Sequence, residues 1–109
     1  MSDATASWTF LSNHAHVLVC LTKDPLARLR DIALLVGITE RTATRIVSEL
    51  ETAGVLTRVR EGRRNRYVIN PEAHLRHPVE AHCTVGDLLT SILGDITTPI
   101  QTDSAEQGP

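Results

Sequence analysis

Leu11, Ala15, Leu18 and Leu21 recur at helical spacing, with Ser12 or Thr9 available as an N-cap and Asp24-Pro25 as a stop, which predicts a first helix over about residues 9–23. The apolar run 17–21 would also suit a buried strand, and the length of the pattern together with its flanks decides for helix. Residues 30–36 read as a short helix ended by Gly37, a residue that can take the left-handed turn conformation. Ile38 comes next as a buried plug, and Thr39 caps a third helix that runs to about Ala53 and stops at Gly54. Residues 55–60 and 66–70 are β-branched and partly alternating around the turn-forming stretch 61–65, so they predict a hairpin. After Asn70-Pro71 and a His-rich connector, Thr84 and Asp87 stand in a capping-box arrangement with Asp in place of Glu or Gln. They open a last helix whose Val85, Leu88, Leu89, Ile92 and Leu93 form an apolar stripe. Residues 1–7 and 95–109 hold little that can be buried and are expected to be flexible tails. The pattern therefore predicts an α+β fold, mainly helical, as one domain over 8–94 with its last helix over 84–94.

Composition narrows the core. Trp8, Phe10 and Tyr67 are the only aromatics, so packing has to be aliphatic. The formal net charge of −2 argues by itself against a nucleic-acid partner, but its distribution reverses the inference. Residues 28–66 carry nine of the ten arginines against five acids, while the rest of the chain carries Lys23 and Arg76 against eight acids. A basic centre between acidic ends suggests a local surface that faces phosphates. Two cysteines, Cys20 and Cys83, and no apolar leader segment fit a reduced, cytoplasmic setting. No apolar run approaches the roughly 18 residues of a membrane span.

The order helix, helix, glycine turn, helix, arginine-tipped hairpin, helix is that of a winged helix-turn-helix. Ile32-Ala33, Val36-Gly37-Ile38, and Ala43 followed by Ile46 fall where that unit places its small and apolar residues. Residues 28–70 resemble the MarR and ArsR classes of small regulators. Ile38-Thr39-Glu40-Arg41 and the passage 49–56 are similar to their run from helix to wing, and Ala43 departs from the bulkier Val or Ile that is ordinary there. The resemblance implies a homodimeric binder of double-stranded DNA, a transcriptional regulator and by family analogy a repressor, with N- and C-terminal helices that dimerise.

On the third helix Ala43, Ile46, Val47 and Leu50 share one face, with Arg41, Thr44, Arg45 and Ser48 roughly opposite. In this fold class the second helix of the unit enters the major groove, so Thr39, Arg41, Thr42, Thr44, Arg45 and Ser48 are the expected recognition-helix contacts. Arginine can read guanine through paired donors, and the hydroxyls suit bases or phosphates. The bland alternative is a solvated helix face. Arg58, Arg60, Arg63, Arg64, Asn65 and Arg66 form the expected wing contacts. Arg63 and Arg64 at the tip would track phosphates or enter the minor groove, and the others would lie along the backbone. The alternative there is a solubilising hairpin.

Trp8, Phe10 and Leu11 at the start of the first helix, with Val85, Leu88, Leu89, Ile92 and Leu93, are the expected dimer interface, against a stripe folded back on its own domain. His14, His16, His74, His77, His82, Cys20 and Cys83 are ligand types for transition metals, but no compact motif joins them, so no metal and no cofactor is expected. No nucleophile elbow, phosphate-binding glycine loop or zinc-hydrolase helix motif occurs, and an enzyme is not expected. Two other readings stay open: a winged-helix module whose arginines meet an acidic protein, and an ArsR-type sensor of a metal, an oxidant or a small apolar molecule. Whether any small-molecule effector exists is not written in the sequence.

Overall fold

The computed structural model describes residues 7–94. Residues 1–6 and the expected C-terminal tail 95–109 lie outside the described residues. The element order is α1 (Asn13–Lys23), α2 (Leu29–Val36), α3 (Glu40–Thr52), β1 (Leu56–Glu61), β2 (Arg64–Ile69) and α4 (Val85–Leu93): four helices and one antiparallel hairpin, a small α+β winged helix. The chain divides into two compact units after Ile69.

In the first unit, α1 begins later than its periodicity suggests. Ser12, with extended backbone, accepts the Ala15 N–H and sets the start. The Thr9 hydroxyl instead donates to the Leu11 carbonyl, so Trp8, Phe10 and Leu11 precede the helix rather than open it. α2 ends where Gly37 takes φ 87°, and the Gly37 and Ile38 N–H groups both donate to the Ala33 carbonyl. A side chain at this φ is strained, and without the turn α3 could not fold back on α2. Thr39 then caps α3 by accepting the Thr42 N–H.

The core of this unit is aliphatic, as composition requires. Val17, Leu18 and Leu21 of α1, Ile32 and Ala33 of α2, and Ala43, Ile46, Val47 and Leu50 of α3 are buried, with Val55, Leu56 and Tyr67 behind them. α1 packs on α2, α3 and β2, α2 on α3, and α3 on β1. Ala43 is fully buried, and its small size suits a position between closely packed helices. Ile38, expected as a buried plug, is only half-buried.

The hairpin is tighter than its sequence suggests. Pairing runs from Leu56↔Ile69 to Glu61↔Arg64, which leaves Gly62-Arg63 as a two-residue turn with Gly62 at φ 61°. Arg64 and Asn65 are strand residues, and Val55 is not. The outer edge of β2 is covered locally: the Tyr67 N–H donates to the Pro25 carbonyl and the Arg64 guanidinium to the Leu26 carbonyl. Backbone groups on an exposed sheet edge would otherwise be open to pairing with another chain.

In the second unit, Thr84 and Asp87 form a reciprocal capping box at the start of α4. Hydrogen bonds from the Thr84 backbone N–H, and then from its hydroxyl partnership, hold the Asp87 carboxyl below its ordinary range. The Val85 and Gly86 N–H groups donate to the Ala73 and Pro71 carbonyls. A side chain at Gly86 would meet the Pro71 carbonyl oxygen at 2.9 Å, so the close approach requires glycine.

Packing and capping can each be tested by one substitution. Ile46→Ala should lower the unfolding free energy by about 2–5 kcal/mol in urea titration, whereas Leu34→Ala, at an exposed position, should stay within about 0.5 kcal/mol of the parent. Asp87 has a depressed folded pKa, so its contribution is present above its unfolded pKa and is lost as pH falls through the folded one. The destabilisation caused by Asp87→Ala should therefore be full near neutral pH and shrink below about pH 4, as read by urea midpoints at a series of pH values.

Candidate nucleic-acid interface

Burial of Ala43, Ile46, Val47 and Leu50 turns the opposite side of α3 outward. Arg41, Thr44, Arg45 and Ser48 are exposed, with Thr39 exposed at the cap and Thr42 half-buried beside it. The six expected recognition residues thus lie on the cap and first three turns of one helix. They are not equally available. The Thr39 hydroxyl bonds both the Thr42 N–H and the Thr42 hydroxyl, and the Thr44 hydroxyl donates back to the Glu40 carbonyl. The Arg41 side chain makes no hydrogen bond or ion pair among the described residues. Arg45 is held by Glu49 one turn on, at 3.0 Å. The other oxygen of Glu49 accepts from Nε2 of His14 on α1 at 2.7 Å. The His14 hydrogen bond first, and that of Arg45 second, keep the Glu49 carboxyl below the usual carboxylate range.

The wing arginines separate by pleat. Leu56, Arg58, Arg60, Asn65, Tyr67 and Ile69 share one face of the hairpin, since Arg58 stands opposite Tyr67 and Arg60 opposite Asn65. Leu56 and Tyr67 on that face are buried, and Arg58 goes with them. Its guanidinium lies 5.9 Å from the Tyr67 ring centroid and pairs with Glu51 of α3 at 3.0 Å, and its Nε is buried with no hydrogen-bond partner. Arg58 therefore ties the wing to α3. Arg64 has the strut-like bond to Leu26, Arg66 pairs with Glu61 and Arg60 donates to the Gly62 carbonyl. Arg63, at the tip of the turn, has no such partner among the described residues, and Asn65 is half-buried.

Arg28 and Arg30, at the start of α2, stand outside the groups that the sequence pattern singles out. Both are exposed, and neither side chain has a hydrogen bond or ion pair among the described residues. Their only signal in the sequence is membership of the basic centre. With Arg41 and Arg63 they are the arginines of the first unit whose guanidinium has no hydrogen-bond or ion-pair partner among the described residues, and an unpaired surface guanidinium can meet a phosphate without first breaking a contact.

The residues expected at a dimer interface have different exposures. Trp8 and Phe10 are 67% and 92% exposed and pack edge to face, with ring centroids 4.9 Å apart. Leu11 is half-buried. In α4, Val85 and Leu89 are buried in the single chain, Leu88 and Leu93 are half-buried and Ile92 is 42% exposed. The parts of the expected interface that stay open are thus the aromatic pair and Ile92.

Elsewhere the candidate chemistry disperses. Both cysteines are free, and burial pushes the Cys20 thiol up, away from the reactive thiolate. His74 donates to the Ala81 carbonyl through Nδ1, and His77 accepts the Val79 N–H at Nδ1. Among the described residues no three His, Cys, Asp or Glu side chains gather as a metal site requires, and no helix is long and apolar enough to cross a membrane.

No curated protein matches the chain. The family model of the winged helix-turn-helix DNA-binding domain matches residues 13–57, from the first residue of α1 through α2, the Gly37 turn and α3 into β1. That match lies on a helix-turn-helix with a two-stranded wing behind it, so residues 13–57 are similar to a winged helix-turn-helix DNA-binding domain.

Proposed function

We propose that the protein is a sequence-specific transcriptional regulator of the MarR or ArsR kind that binds duplex DNA as a homodimer in the cytoplasm and represses. The observation that carries this reading is the outward face of α3, where Arg41, Thr44, Arg45 and Ser48 stand opposite a fully buried apolar face. In the major groove, Arg41 and Arg45 would supply paired donors to guanine, while Thr39, Thr42, Thr44 and Ser48 would meet bases or phosphates. Arg63 at the wing tip is the natural phosphate or minor-groove contact, with Arg60, Arg64, Asn65 and Arg66 lining the approach. Arg28 and Arg30 add phosphate contacts at the start of α2. Repression rather than activation rests on the family analogy alone.

The homodimer is supported by the exposure of Trp8, Phe10 and Ile92, since large aromatic side chains open to water are typical of surfaces that meet a partner. Two-fold symmetry would set two recognition helices about one DNA turn apart. A rival reading, a winged-helix module that meets an acidic protein, is favoured by one observation: Leu34 and Leu35, adjacent on α2, are 80% and 76% exposed. Salt-dependent binding to random duplex DNA separates the two.

Selection of bound fragments from genomic DNA should return one enriched, two-fold symmetric site. On that site Arg41→Ala should weaken binding by about 1–3 kcal/mol and relax the preference at one base pair in each half. Arg63→Ala should weaken specific and random duplexes alike and reduce the slope of log affinity against log salt by about 1. Equal binding of specific and random DNA by the unmodified protein would refute a reading helix. For assembly, Trp8→Glu with Phe10→Glu should give a monomer in sedimentation experiments. An unmodified chain that sediments as a monomer well above its DNA-binding concentration removes the dimer and leaves DNA binding in place.

A further inference from the structure

Glu49 is an acid on the exposed side of α3, the helix that faces DNA in the proposed function, and its role is inferred on the basis of that function. A carboxylate there repels phosphates, and its two oxygens are both occupied. Oε2 holds Arg45 of the same helix at 3.0 Å, and Oε1 accepts from Nε2 of His14, a residue of α1, at 2.7 Å. Arg45 is one of the two arginines able to read a base, and to do so it has to leave Glu49. Once it leaves, the His14 bond alone remains to offset the carboxylate.

We propose that Glu49 is a positioning residue that governs the availability of Arg45 to DNA, and that protonation of His14 takes over the Glu49 carboxylate and releases Arg45. With neutral His14 the three side chains sum to zero charge, and Arg45 is the only cation that balances Glu49. With protonated His14 they sum to +1, the His14–Glu49 contact is a complete ion pair, and Arg45 can turn to the groove without stranding a carboxylate. The DNA-bound state then takes up a proton, so affinity rises as pH falls. Among the described residues, Glu49 of α3 is the charged group paired with His14, and Arg45 of α3 reaches the same carboxylate. No group of α2 or β2, the other elements packed on α1, pairs with it, and on α1 itself His16 bonds Asn13 instead.

The test is fluorescence anisotropy of a labelled random-sequence duplex at fixed salt, at about pH 8 and about pH 6, with circular dichroism on each variant to establish that it is folded. At the higher pH, Glu49→Gln should bind about two- to fivefold tighter than the unmodified protein, the range set by one exposed ion pair. Adding His14→Gln to Glu49→Gln should change nothing further. The unmodified protein should recover most of that gain at the lower pH, and His14→Gln alone should not. In the Arg45→Ala background the gain from Glu49→Gln should largely vanish. A folded Glu49→Gln variant with unchanged or weaker binding overturns the inference. So does a pH response that survives in His14→Gln, or a gain that persists in full without Arg45, which marks simple charge removal. In each of those cases the unmodified protein still binds DNA, and the DNA-binding reading stands. Failure of the unmodified protein and every variant to bind the duplex at low salt overturns the DNA-binding reading and this inference with it.

Discussion

The first unit is organised by one constraint: α3 has to be covered on one side and left open on the other. Ala43, Ile46, Val47 and Leu50 are the residues on which the surrounding elements close, and all four are buried. Because a straight helix of this length is rigid, burying that stripe also fixes where Arg41, Arg45 and Ser48 point. The Gly37 turn makes the arrangement possible by reversing the chain within a few residues, and Ala33 and Ala43, both buried, add little bulk to the two helices of the motif. Fold and site are therefore consequences of the same packing.

An aliphatic core of this size has few ways to anchor a hairpin, and the protein uses a polar one. Tyr67 is the only aromatic residue in the core, and Arg58 lies against its ring while pairing with Glu51 on α3. The guanidinium is only partly exposed and one of its nitrogens is left without a partner. Burying a polar group unpaired carries a penalty, which the ring contact and the ion pair offset. Together with the Tyr67 and Arg64 bonds to the segment between α1 and α2, this contact holds the wing in a defined orientation to α3. A wing that flapped could not place a tip arginine on DNA in register with a reading helix.

The basic centre consequently has two populations. Arg45, Arg58, Arg60, Arg64 and Arg66 each contact a carboxylate or a carbonyl of the chain, so part of their role is internal and DNA has to compete for the exposed ones. Among the described residues, the side chains of Arg28, Arg30, Arg41 and Arg63 have no such partner. Surface ion pairs are individually weak, and competition by a polyanion is easy. The pairs therefore set the geometry from which side chains start and leave them able to rearrange.

Apolar periodicity, capping residues and glycines by themselves determined the element order, the Gly37 turn, the Thr39 and Thr84 caps and the buried face of α3, because those depend on neighbours within about four residues. The start of α1 is less legible, since Thr9 and Ser12 are both competent caps and only the choice of backbone partner distinguishes them. The hairpin turn is shorter than the sequence suggests because arginine and asparagine carry no strong preference against a strand, so Gly62 alone marks the bend. Only tertiary structure could sort the arginines: Arg58 and Arg60 are two residues apart and chemically alike, but one lies over a buried ring against α3 and the other reaches only its own turn. The link from His14 to Glu49 likewise spans 35 positions of sequence, and no local pattern encodes it. Exposure of Trp8 and Phe10 and burial of Val85 and Leu89 were decided by tertiary structure for the same reason: an apolar stripe states that a residue prefers cover, and which surface covers it depends on packing between elements distant in the chain.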